Sequence, residues 1–483
     1  MRRRSSACVL VLCGAIAILL GSAPAASAAS CTDTWTAAGS GSWNDVGNWS
    51  AGVPTSTSDV CIPDIGKSYM VTLTDGATAK SLTLGATSGA ATQVLDLLAP
   101  PGHNATLAFT ADSTIAQTGE LVFDSQAGGG FTQVSSSATL TNNGTITAQV
   151  GGSNVNYLDA NLHNAASGTL HVTSGELRQD TATATTNDGA LIVDASSQFT
   201  LTSGSAAVAN DTGATVTNNG AITLTSGASW SQLGGGESAN PVTMFGGTLT
   251  DHGAGSGGFT LIDNTAISGT IGANETVDLT GTPGHNASAT FAAGIVTNNG
   301  TLILDTRSGG GYAALTNGTL NNNGTLTAQA EGSNIDYLEV TLNNAHGAHL
   351  HITSGNLRQD TATTTTNDGA VIVDASSQFT LTSGSALLAN DTGATVANSG
   401  AITLTSGASW TQAGGAETGS PVTMFSGTLT DSGTGSGGFT LIDNPAISGT
   451  IGPSETVELA GTPGHNATAT LHAPSVTNNG TLV

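Results

Sequence analysis

The chain has 483 residues, 8 Lys/Arg against 33 Asp/Glu for a formal net charge of −25, 8% charged residues and 4% aromatics. That balance excludes nucleic acid and anionic membranes as partners, because both need a basic surface. Sixty-six glycines, with abundant Thr, Ser, Asn, Ala and Val, suit short strands separated by turns.

The N-terminus reads as a secretory signal over residues 1–28. Arg2, Arg3 and Arg4 form its basic region, Val9–Leu20 its apolar core and Ala26-Ser27-Ala28 its cleavage site. No later apolar run is long enough to span a membrane. Cleavage leaves 5 Lys/Arg against 33 Asp/Glu, a net of −28. The expected location is extracellular, with attachment to a cell surface through a missing C-terminal part. No cofactor is implied beyond non-specific Ca²⁺ on so acidic a surface. Cys8 and Cys13 leave with the signal, so Cys31 and Cys61 are expected to form one disulfide in an oxidising compartment.

Residues 29–66 hold three of the five tryptophans, Trp35, Trp43 and Trp49. They are expected to plug the open end of a strand stack; the functional alternative is a sugar-stacking platform. The pattern of Trp35, Trp43, Asn48, Trp49, Gly52, Val53, Pro54, Asp59 and Val60 resembles the start of bacterial secreted β-helical repeat proteins, autotransporter-passenger-like and adhesin-like. The stretch Ala79–Gly85 is similar to their first rungs, and TNNGTITA and NNNGTLTA to their body. The resemblance implies an all-β, right-handed parallel β-helix.

First rungs are expected over 67–100. Long repeats follow at 101–282 and 283–462, with a third, cut short, at 463–483. The stretch 177–206 returns almost unchanged at 357–386, with two differences. Within the repeat the recurring unit is Asn-Asn/Asp-Gly followed by a short alternating strand, as at Asn142-Asn143-Gly144 and Asn187-Asp188-Gly189. These glycines step by roughly 21–31 residues, which predicts irregular rungs, seven per long repeat and 16 or 17 coils in all, a rod of about 80 Å. Gly and Asn are expected to take positive φ at the corners, Ile222 and Leu224 to point inward, and the asparagines to stack in hydrogen-bonded ladders. An array of β-sandwich domains is the competing architecture.

Some parallel β-helices cleave polysaccharides, which needs carboxylates and a base converging on one face. The candidates are Arg178, Asp180, Asp188 and Asp194, repeated as Arg358, Asp360, Asp368 and Asp374. Their plainer reading is surface Arg/Asp pairs and corner aspartates that bond their own backbone. His349 and His351 alternate onto one strand face, as metal ligands do. The first repeat keeps only His171 of that group, so a solvated face is the simpler expectation. The leading functional expectation is a non-enzymatic extracellular stalk or adhesin that meets carbohydrate or another cell-surface ligand. A carbohydrate-active enzyme and an ice- or mineral-binding rod are the alternatives.

Overall fold

The computed structural model describes residues 31–483 apart from Ser153 and Ser333; the signal segment lies outside the described residues. The fold is all-β, 61% strand, and winds as a parallel β-solenoid of about 19 turns. Each strand pairs in parallel with those one coil before and after it, which excludes the sandwich array. At ~4.8 Å per coil the stack is roughly 90 Å long.

One apolar core runs the length of the stack, from Trp35 to Val457. The strand Ala221–Leu224 explains why: Ile222 and Leu224 are fully buried, while Ala221 and Thr223 face outward. Four-residue strands of this kind bury one face only, so each coil depends on its neighbours. The tryptophan segment joins the stack rather than sitting over it. Asp33–Thr34 pairs with Val60–Cys61, and Trp35, Trp43 and Trp49 are 1%, 0% and 5% exposed. That burial rules out a sugar-stacking platform. Trp35 and Trp43 each meet Trp49 edge-on, at 5.0 and 4.9 Å, and the Cys31–Cys61 disulfide closes the same end.

The motif glycines do not serve positive φ. A Cβ on Gly189 would stand 2.3 and 2.4 Å from the carbonyl oxygens of Gly168 and Ala165 in the coil before, and Gly300 is as crowded. Glycine is needed there because adjacent coils touch backbone to backbone. The positive φ values fall elsewhere, on Gly213 (89°) and on Ser196, Ser226, Ser376 and Ser406.

The asparagines do form ladders, and the ladders are inside. Asn142, Asn164, Asn187 and Asn210 are at most 1% exposed, and each Nδ2 donates to the side-chain oxygen one coil on, over 2.8–3.2 Å, ending at Gln232 Oε1. A second ladder runs Asn298, Asn322, Asn344, Asn367, Asn390 and Gln412. Most of these amides also donate to a backbone carbonyl, as Asn344 does to Ala370. A buried amide costs free energy unless paired. Stacking in register satisfies both of its ends.

The stack exchanges one face for another between the repeats. At 176–193 a coil comprises Glu176–Gln179, Ala184–Asn187 and Ala190–Val193, here the first, second and third faces. The first-face column runs from Leu177 through Phe199, Ile222, Val242, Phe259, Val277, Leu302 and Leu326 to Leu350. Leu350 is the copy of third-face Leu170, not of Leu177. The third-face column, after Val216 and Glu237, closes at Asn274 through Gly236 and Ser256. A new face opens at Asp263 and passes through Ala287, Ala313 and Asp336 to Leu357, the true copy of Leu177.

Between closure and opening the coils shorten. Val242 stacks directly on Phe259 and Leu249 on Ile267, closer in sequence than Leu177 and Phe199 in the regular part of the stack. Trp230 there packs edge-on to Phe259 at 6.1 Å. The second face continues, across a bulge after Ile267, from Thr185 to its own copy Thr365 in eight steps. The long repeat is therefore eight coils, not seven. The glycine marker misleads because it changes corner: Gly189 follows the second face, whereas Gly220 follows the third.

Candidate functional site

The sequence candidates do not converge. Asp180, Asp188 and Asp194 each follow one strand of the same coil, so they stand at three successive corners. Arg178 is held beside its own strand neighbours: its guanidinium donates to Glu176 at 2.8 and 3.0 Å and lies 3.8 Å from Asp180. In the copy, Arg358 donates to Asp360 at 2.7 Å. Asp188 meets His163 at 2.7 Å and Asp194 meets His171 at 3.0 Å, one coil apart in each case.

Burial works to raise the Asp188 carboxyl, but the bonds from His163 and Asp211 outweigh it and hold it below its usual range. Asp211, next up the corner, is pushed to about 6 by burial and then by Asp188. In the copy, burial first and then Asp368 raise Asp391. His349 and His351 do share the outward face of one strand, as their spacing predicts. His351 is occupied by Asp374 at 3.1 Å. Asp368 lines a shallow hollow with His346 and His349. Among the described residues no three or more His, Cys, Asp or Glu are grouped to hold a metal ion.

A different surface is built in both repeats. On the outward side of the first face Gln133, Tyr157 and Arg178 stack on successive coils, with Phe131 edge-on to Tyr157 at 5.5 Å. Their counterparts are Ala314, Tyr337 and Arg358, with Tyr312 edge-on to Tyr337 at 5.5 Å. A carboxylate lies beside each strip. Asp159 accepts from Gln133 at 2.8 Å and from the Asp180 backbone at 3.1 Å. Glu339, its counterpart, is raised by burial and then by Asp360.

Two hollows open on these strips. One of about 550 Å³ is lined by Phe109, Gln133, Ser135, Asp159 and Thr181. The other, of about 150 Å³, is lined by Ser288, Tyr312, Thr316, Tyr337 and Glu339. Arg178 and Arg358 stand out in the sequence as charged candidates, whereas Tyr157 and Tyr337 do not. Their signal was present: around them the two repeats differ at many positions, yet an aromatic at 131/312, Tyr157/Tyr337 and an acid at 159/339 are kept.

A second group, also missed, is interior. Glu237, Asp251 and Glu275 are 6%, 1% and 2% exposed, and their copies Glu417, Asp431 and Glu455 are 5%, 2% and 1% exposed. All six sit where the third face closes. Burial, followed by backbone bonds that oppose it, leaves Glu237 at about 8. The visible signal was an acid at an inward position, Asp251 two residues after buried Leu249.

No protein-family model and no curated protein matches this chain. No described helix is long and apolar enough to cross a membrane.

Proposed function

We propose that the protein is a non-enzymatic extracellular repeat protein, a rod whose flank binds neutral carbohydrate once per long repeat. The observation that carries this reading is the duplicated strip of aromatic pair, arginine and carboxylate. Ring faces of Tyr157 and Tyr337 suit stacking on the apolar side of a sugar ring. Gln133, Asp159 and Arg178 in the first strip, and Glu339 and Arg358 in the second, offer donors and acceptors for hydroxyl groups, the usual make-up of an orienting site. A net charge of −25 disfavours polyanionic glycans.

The strips lie eight coils apart, about 38 Å by the coil spacing, so one long chain can engage both and gain by avidity. Extracellular placement rests on the basic, apolar and small-residue order of residues 1–28. An enzymatic reading needs two carboxyl groups flanking one bond. Glu176 and Asp180 are both engaged by Arg178, Asp188 is bonded to His163 and Asp211, and Asp194 stands at another corner.

The test is calorimetry with hexamers of glucose, xylose and N-acetylglucosamine. At least one is expected to bind, and Tyr157→Ala with Tyr337→Ala is expected to weaken it about tenfold or more, the value of roughly 1.5 kcal/mol of aromatic contact. No binding to any of the three contradicts the carbohydrate reading. Release of reducing ends that disappears in Asp188→Asn with Asp368→Asn contradicts the non-enzymatic one.

A further inference from the structure

We propose that Asp251 and Glu275, and again Asp431 and Glu455, each share one proton, forming two buried pegs that lock the coils where the solenoid exchanges one face for another. Asp251 stands directly after Gln232 in the column that carries the asparagine ladder, so the pair is where that ladder ends. One oxygen of each carboxyl is satisfied by backbone: Gly253 N donates to Asp251 Oδ1 at 2.8 Å, and Gly272 N to Glu275 Oε2 at 2.5 Å. The other two, Asp251 Oδ2 and Glu275 Oε1, are buried with no donor, and the two carboxyls lie within hydrogen-bonding reach of each other.

The second copy repeats every part. Gly433 N donates to Asp431 at 2.8 Å, Gly452 N to Glu455 at 2.5 Å, and Asp431 Oδ2 and Glu455 Oε1 are without a donor. Two carboxylates cannot both ionise at such a distance in a dry site, and one proton turns a repulsion into a charge-assisted hydrogen bond.

The surroundings favour a proton over a cation. Among the described residues neither pair has a Lys, Arg or His partner. The other titratable group facing the first pair is Glu237, whose Oε2 is taken by Gly258 N at 2.9 Å; Glu417 holds that place in the second copy. His252, next in sequence to Asp251, is exposed. Calcium asks for six to eight oxygens, whereas three free carboxylate oxygens are offered here, Asp251 Oδ2, Glu275 Oε1 and Glu237 Oε1, and the near backbone supplies N–H donors.

Burial first, and then the partner carboxyl, push Asp251 and Asp431 up to about 8. Unfolded Asp and Glu titrate near 4. Between about pH 4 and about pH 8 the folded chain therefore holds a proton that the unfolded chain has released. The stability each peg contributes is full at the acid end of that window and declines as pH rises through it, the unfolding constant growing about tenfold per pH unit for each peg.

The experiment is infrared difference spectroscopy of the full chain from pH 5 to pH 10, with urea unfolding at the same pH values. A protonated-carboxyl band is expected at pH 7, fading near pH 8, and reduced in Asp251→Asn with Asp431→Asn. That variant is expected to lose about one decade per pH unit from the slope of the unfolding constant of each stretch that holds a peg. Glu275→Gln with Glu455→Gln gives the same pair of results through the other partner and covers misfolding of the first variant. An unchanged band at pH 7 in both variants overturns the proposal. So does binding of two calcium ions, seen by calorimetry, that both variants abolish.

Discussion

Replacing Asn344 with leucine is expected to destabilise the chain by about 3–5 kcal/mol, as much as a large core truncation although no volume is lost, because several buried polar groups lose their partner at once. Asn344 is fully buried and central to the second ladder. It accepts from Asn322 at 2.8 Å and donates to Asn367 Oδ1 at 2.8 Å and to the Ala370 carbonyl at 3.0 Å. Leucine fills the volume but leaves those groups short of a partner inside the stack, at about 1–3 kcal/mol for each one orphaned. Urea unfolding measures the loss, and amide exchange locates it at Asp368 and Gly369, whose N–H groups donate to the Asn344 carbonyl. A change below about 1 kcal/mol would mean that water reaches the ladder and that it is not a dry internal seam.

The second large effect is expected at the N-terminal end, and it should stay there. Trp43→Ala removes a fully buried ring that meets Trp49 edge-on at 4.9 Å, a loss of about 3–5 kcal/mol. Cys31→Ser with Cys61→Ser opens a loop of 30 residues' separation, worth about 3–4 kcal/mol by chain entropy. In a linear stack each coil feels its neighbours and little else. Exchange at Val60–Ile62 and Val71 should accelerate in both variants, while Leu388 and Val396 keep their protection. The freed strand edge should also promote association. Equal acceleration along the whole chain would show that the solenoid unfolds as one unit.

These two effects mark what the sequence makes legible. Alternation of the kind seen at Ala221–Leu224 fixes which side of a strand is buried, and the recurrence of Asn-Asn-Gly announces stacked corners, so the solenoid and its ladders follow from local pattern. The coil count does not. Gly189 and Gly220 carry the same motif at different corners, and only the pairing register separates them. The sequence pattern points these glycines to positive φ, whereas crowding by carbonyls of the coil before is their reason.

Interior acids escaped for a related cause. Asp251 and Glu275 lie where the length of a coil changes from one turn to the next. Val242 stacks on Phe259 there, whereas Gly269, soon after, stacks on the more distant Val296. Nothing in the spacing of the two acids says that they meet. Spacing also made Arg178, Asp180, Asp188 and Asp194 look like a group. One coil contains three corners, and acids a few positions apart in sequence fall on different ones.

The central claim is that the chain is one continuous parallel stack in which sequence distance becomes axial distance by coil. Thr223, Thr243, Thr260, Asp278, Ile303, Thr327, His351 and Ile372 form one outward column through the face exchange. Pulsed electron resonance between a spin label at Thr223 and a second at Thr327, His351 or Ile372 tests this directly. The expected separations are about 24, 29 and 34 Å, a rise of ~4.8 Å per coil. Broad distributions, or separations that do not grow by one coil spacing from each site to the next, would contradict it.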